Sequence, residues 1–155
     1  MYLLLKTVHV LSVVLFLGNI ITGLFWKAQA DATRDPGLQA HALRGVIRSD
    51  AFFTIPAVIL IIITGVWLAS EAGLPLLGTR WIAWSLIAFG ISGLLFGVFI
   101  APIQRKMMNE ALAATPEVEW PSAAYRRMSR VWETVGIIAI LLPLGALVLM
   151  VFKPT

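Results

Sequence analysis

The 155-residue chain is too apolar for an ordinary soluble protein, because 59% of its residues are hydrophobic and only 13% are charged. An average soluble domain is about 45–50% apolar and about 25% charged. The chain has no cysteine, which excludes disulfides and thiolate metal sites, and two histidines are too few for a multi-histidine metal cluster. The net charge of +4 comes from basic residues beside apolar segments, so it does not indicate a partner nucleic acid.

Four apolar runs are long enough to cross a lipid bilayer. They cover about 3–26, 51–70, 81–102 and 131–152, each near the ~20 residues that span the ~30 Å hydrocarbon layer. The first run is too long for a cleaved signal peptide and lacks a basic start. The sequence therefore predicts an all-α polytopic membrane protein, with residues 1–155 forming a single four-helix transmembrane bundle.

The basic residues predict the orientation of the chain. Four lysines and arginines lie between the first and second helices and five between the third and fourth, against three elsewhere. Because basic loops stay in the cytoplasm, we expect both termini to face outward across a bacterial inner (plasma) membrane. The first basic loop should turn at Asp35-Pro36-Gly37, and the segment LQAHALRGVI after it is amphipathic enough for the membrane surface.

Other positions suggest anchoring and helix packing. Prolines 56 and 143 should kink the second and fourth helices. A stripe of three glycines on the third helix should pack against a neighbouring helix or a second copy of the chain, or else let a flat cofactor approach: Gly90, Gly93 and Gly97. Five tryptophans near the ends of the runs should act as interfacial anchors: Trp26, Trp81, Trp84, Trp120 and Trp132.

The first helix has one face of polar and small residues. At 100° per residue, these fall within about 140° of the helix circumference: Lys6, His9, Ser12, Phe16, Asn19 and Gly23. Such a face should turn into the bundle. Lys6 is shallow enough to extend its amine to the headgroups, whereas His9 lies about one turn deeper and cannot.

His9 is the main candidate for a functional residue, since an ionisable group within a membrane is a functional candidate by default. Three roles are open: a neutral imidazole bonded to a carbonyl or Ser12, a proton relay, or an axial ligand of haem iron. Met150 should lie at a similar depth and is the best second ligand within the chain. A five-coordinate iron, ligation by Lys6, and His9 of a second protomer are alternatives. Lys6 and Arg80 could pair with haem propionates.

The remaining charged residues suggest no site. Asp50, with Arg44 and Arg48, should form a solvated or interfacial ion pair at the cytoplasmic mouth of the second helix. Glu133 should form an interfacial pair with Arg130. Without a nucleotide-binding, protease or dinucleotide motif, any enzyme here would depend on a cofactor, and no catalytic residue can be assigned.

Several segments resemble a superfamily of small bacterial membrane proteins: YLLLKTVHVLSVVLFLGN, TIPAVILIIITGVWLA, RWIAWSLIAFGISGLL and LVLMVFKPT. This superfamily includes HemJ-type protoporphyrinogen oxidases, CopD copper-resistance domains and a predicted integral membrane family of unknown function. The segments resemble the last of these families best. The HemJ-type resemblance implies haem b held by the histidine of the first helix, here His9. It also implies a lysine early in the third helix, where this chain has only Arg80 nearby.

Two functions follow as hypotheses. The first is a haem b-binding membrane protein, a redox or haem-handling protein with His9 as the iron ligand and a quinone or respiratory redox partner, acting as a membrane oxidoreductase. The second is a cofactor-free structural or accessory subunit that forms a homo-oligomer through the glycine stripe. A transporter fits least, because neither a discontinuous helix pair nor a charged midplane site is evident.

Overall fold

The computed structural model describes residues 1–117 and 119–154, which contain six helices and no strand. Their bounds are α1 Tyr2–Thr33, α2 Pro36–Ser49, α3 Ile55–Glu71, α4 Arg80–Leu95, α5 Ala101–Leu112 and α6 Ala123–Phe152. A π-helical segment joins α2 to α3 and another joins α4 to α5, so the described residues form four continuous helices, each long and apolar enough to span a membrane. The predicted all-α, four-helix transmembrane architecture is confirmed.

The helices are longer than a bilayer requires. The first has 32 residues and the last has 30, which correspond to about 45–48 Å at 1.5 Å per residue. Because the hydrocarbon layer is ~30 Å thick, each helix has a part that extends beyond it. The basic connections lie at the extended end, where α1, α2, α5 and α6 pack together.

Local sequence signals define the helix ends. Arg34 adopts the left-handed conformation (φ 54°) and ends α1, and Asp35 then caps α2 by accepting a hydrogen bond from the Leu38 amide at 3.0 Å. Pro36 occupies the first turn of α2, where its missing N–H costs nothing. The turn expected at Asp35-Pro36-Gly37 therefore lies one residue earlier, because Asp35 and Pro36 are better helix starters than turn residues.

Each π-helical segment lies just before a proline. The segments are Asp50–Thr54 and Phe96–Ile100, and Pro56 and Pro102 follow them two residues later. Proline donates no hydrogen bond and its ring displaces the carbonyl four residues earlier, which in both cases is the centre of the segment. The backbone widens to an i→i+5 bond instead of breaking, as in the bond from the Ile55 amide to the Asp50 carbonyl. The expected disturbance at Pro56 is thus a π bulge, whereas α6 continues through Pro143.

The helices form two pairs whose backbones come close to each other only at the end with the basic loops. In the other half of the bundle α1 packs on α3 and α4 packs on α6, while no close backbone contact joins α3 to α4. At the basic end α2 packs extensively on α5 and buries Leu43 and Met107 completely. The segment LQAHALRGVI therefore packs its apolar face against α5.

Candidate functional site

His9 lies between α1 and α3, half-buried, and not on the lipid-facing side of α1. Its Nδ1 is 2.9 Å from the hydroxyl oxygen of Thr64, and that hydroxyl donates its only proton to the Leu60 carbonyl at 2.5 Å. The tautomer that satisfies both contacts is the one in which Nδ1 donates to Thr64, and it leaves the lone pair on Nε2. Gly65 allows the close approach, because a Cβ there would lie 3.2 Å from His9 Cε1. The Ile61 backbone carbonyl is a further acceptor beside the ring.

The other residues expected near His9 are only partly gathered around it. Ser12 is buried but bonds to the Val8 carbonyl of its own helix, at 2.8 Å. Lys6 and Arg80 are exposed and form no ion pair within the described residues, while Met150 is half-buried on α6. The backbones of α1 and α6 make few contacts with each other, and ligation by Met150 stays a prediction.

A cavity of about 240 Å³ lies between the two helix pairs, deeper than His9. We call it the inter-hairpin cavity. Its walls are mostly apolar and include the rings of Phe16 and Phe89, whose centroids are 5.5 Å apart across the α1–α4 gap. His9 does not line it; Asn19, which does, lies about 15 Å further along α1 at 1.5 Å per residue.

Four polar side chains form a cluster on one side of this cavity: Asn19, Asp50, Thr54 and Gln104. The Thr54 hydroxyl donates to Asp50 Oδ1 at 2.9 Å, and the Asn19 amide donates to Thr54 Oγ1 at 2.8 Å and to Asp50 Oδ1 at 3.4 Å. The Gln104 amide donates to Asp50 Oδ2 at 3.3 Å. Asp50 is 7% exposed, and no lysine or arginine pairs with it in the described part of the chain.

The expected surface pair of Asp50 with Arg44 and Arg48 is therefore wrong. The π-helical segment begins at Asp50, and the carboxylate lies among α1, α5 and its own π-helical segment while both arginines stay exposed. Its neighbour Asn19 is seven residues inside the end of the first apolar run, which is about 10 Å. Asp50 and Gln104 themselves lie just outside the second and third apolar runs, so the carboxylate lies near the edge of the apolar region on the side of the basic loops.

A second polar network joins α1 to α6 at the basic end. Lys27 is 1% exposed, and its ammonium contacts Asp31 at 2.5 Å, Glu133 at 2.8 Å and the Ser129 hydroxyl. Tyr125 donates to Asp31 at 2.8 Å. Glu133 therefore pairs with Lys27 and not with Arg130, because α1 continues far enough past the apolar run to bring this lysine to α6.

Trp132 does not serve as the expected interfacial anchor. It is 3% exposed, lines the inter-hairpin cavity and has the Lys27 ammonium 5.0 Å from its ring centroid. Its Nε1 has no hydrogen-bond partner among the described residues. The tryptophan thus belongs to both polar sites, since it lies between the Lys27 network and the cavity.

The spacing of residues in the sequence indicates part of the polar cluster, although it does not identify a site. Asp50 and Thr54 are four residues apart, so they share a helix face, and Asn19 lies on the polar face of α1. Gln104 has no such signal, because it follows the third apolar run and looks like a loop residue. Only the packing of α2 against α5 brings it to Asp50.

Comparison with known proteins supports the membrane assignment. No curated protein and no solved structure matches this chain. Residues 3–154 match a family described as predicted integral membrane proteins, DUF2269. The match covers nearly the whole sequence, and the four spanning helices agree with it. The chain is therefore an integral membrane protein that lies in a lipid bilayer, and it belongs to the DUF2269 family.

Proposed function

We propose that this protein binds haem b through His9 and acts in electron transfer or haem handling at a bacterial inner membrane. The observation that carries the proposal is the hydrogen bond from His9 Nδ1 to Thr64, whose hydroxyl bonds onward to Leu60. A histidine that binds a metal usually donates the N–H of its other ring nitrogen to a hydrogen-bond acceptor. This bond fixes the tautomer and leaves Nε2 as the metal ligand. The resemblance to HemJ-type oxidases supports the same residue.

The residues near His9 can supply one axial ligand to a haem iron. His9 supplies a neutral imidazole nitrogen, and the exposed Lys6 and Arg80 are free to pair with propionates near the end where α3 and α4 lack backbone contact. The inter-hairpin cavity is not the proposed haem site, because His9 does not line it. When bound, haem would supply one-electron redox chemistry, with a quinone or respiratory protein as partner.

A visible absorption spectrum tests this proposal. Protein purified from haem-replete cells should show a Soret band, and His9→Ala should lose it. Thr64→Val removes the orienting hydrogen bond while keeping the shape of the side chain, and it should weaken haem retention about tenfold or more. His41→Ala is the matched control, because His41 is exposed on α2 and should leave the spectrum unchanged. A colourless, iron-free wild-type preparation would contradict the proposal.

A second candidate is a structural or accessory subunit that forms a homo-oligomer. It is supported by the glycine stripe, because Gly90, Gly93 and Gly97 are exposed and nothing lies within 4 Å of a Cβ built on any of them. The stripe therefore does not pack against another helix of the same chain. If it joins two copies, Gly97→Ile should reduce the oligomer detected by cross-linking in membranes, whereas His9→Ala should not.

A further inference from the structure

We propose that the inter-hairpin cavity is a binding site for a small lipophilic organic cation, a protonated amine with one aromatic ring, whose ammonium group pairs with Asp50. The cavity, the unpaired carboxylate and the opening towards lipid each support this occupant. Because His9 does not line the cavity, the inference is independent of haem binding.

The charge of Asp50 is the first argument. A carboxylate accepts about four hydrogen bonds, whereas Asp50 receives three, two of them at 3.3 and 3.4 Å. Its nearest polar neighbours, Asn19, Thr54 and Gln104, are neutral. Burial of a carboxylate without a counter-charge is costly and favours its neutral form, so a cation that joins Asp50 would stabilise the charged form. A ligand ammonium group would provide both the missing charge and strong donors.

The walls and volume of the cavity define the rest of the ligand. Four aromatic side chains line it: Phe16, Phe89, Phe96 and Trp132. Aromatic faces attract cations and pack well on a flat ring. A dry cavity of about 150 Å³ accommodates benzene, so 240 Å³ provides space for a ring with a short aminoalkyl chain.

Trp132 contributes its ring to the wall of the cavity. Its side chain is 3% exposed and lines the cavity, yet its Nε1 donor has no partner within the described residues. Buried polar groups normally have a partner. That nitrogen is fully buried and so does not open into the cavity, which leaves the ring of Trp132 as the surface that an aromatic ligand would contact.

The opening of the cavity fits a ligand that arrives from the bilayer. Ile55 and Ile59 of α3 line the cavity and are 49% and 51% exposed, and Gly93 of α4 faces them without a side chain. No close backbone contact joins α3 to α4. The opening therefore lies on the lipid-facing surface, where an apolar amine accumulates.

Calorimetric titration of protein in lipid nanodiscs tests the proposal, with empty nanodiscs subtracted. The probes are 2-phenylethylammonium and its neutral analogue 2-phenylethanol, which differ in charge and hardly in shape. We expect the ammonium ion to bind the wild-type protein at least about tenfold more tightly than the alcohol, as expected for a charge-assisted contact. Asp50→Asn should remove that preference, whereas Glu71→Gln, at an exposed carboxylate outside the cavity, should retain it.

A second pair of variants keeps the test valid if Asp50→Asn folds poorly. Gly93→Leu places a side chain at the opening without meeting any atom within 4 Å of its Cβ, and it should abolish binding of both probes. Gly90→Leu makes the same change on the same helix outside the cavity and should bind normally. Equal binding of both probes, ammonium binding that survives Asp50→Asn, or no binding to the wild-type protein would overturn the proposal.

Discussion

The Lys27 network should make a large contribution to stability, which Lys27→Met would reveal. Methionine matches lysine in length and apolar volume but removes the ammonium that Asp31 and Glu133 share. Two carboxylates would then face each other between α1 and α6, and the contact with the Trp132 ring would lose its cation. We expect the loss to come mainly from the two unpaired charges and not from the missing contacts themselves.

The size of the loss in the free energy of unfolding depends on how well water reaches the two carboxylates. Removing one partner from a fully buried ion pair costs about 3–5 kcal/mol. Lys27 is 1% exposed, but Asp31 is 22% exposed and Glu133 is 48% exposed. Because water screens these exposed oxygens, we expect Lys27→Met to lower the free energy of unfolding by about 2–3 kcal/mol.

Unfolding in mixed detergent micelles, followed by circular dichroism, measures this change. Lys6→Met is the matched control, since Lys6 is exposed on the same helix and should change the free energy by about 0.5 kcal/mol or less. Adding Asp31→Asn and Glu133→Gln to Lys27→Met removes the unpaired charges and should restore most of the stability. If Lys27→Met behaved like Lys6→Met, or the triple variant were weaker still, the unpaired-charge reasoning would be refuted.

Two further predictions concern helix packing and orientation. Ser92 donates to a carbonyl of α6 at 2.6 Å, so Ser92→Ala should lower the free energy of unfolding by about 0.6–1.5 kcal/mol, as measured in the same micelles. Leu77→Cys and Thr115→Cys introduce single thiols into the loops at opposite ends of this cysteine-free chain. A membrane-impermeant maleimide should label intact spheroplasts at position 77 alone, and labelling at position 115 instead would reverse the orientation inferred from the basic loops.

The membrane architecture of this protein follows from its sequence alone. The preference of apolar side chains for hydrocarbon accumulates along each run, and the bilayer requires every such run to satisfy its own backbone hydrogen bonds as a helix. The inward polar face of α1 was also predictable from its 3.6-residue spacing, because it requires no knowledge of the other helices. The roles of His9 and of the glycine stripe stay predictions.

Tertiary structure decides which charged groups meet. Asp50 was expected beside its sequence neighbours Arg44 and Arg48, but its partners lie 31 and 54 residues away at Asn19 and Gln104. Lys27 reaches Glu133 across 106 residues. Short-range spacing cannot reveal such pairs, since they arise from the continuation of the helices beyond the apolar runs and from the packing of α2 on α5.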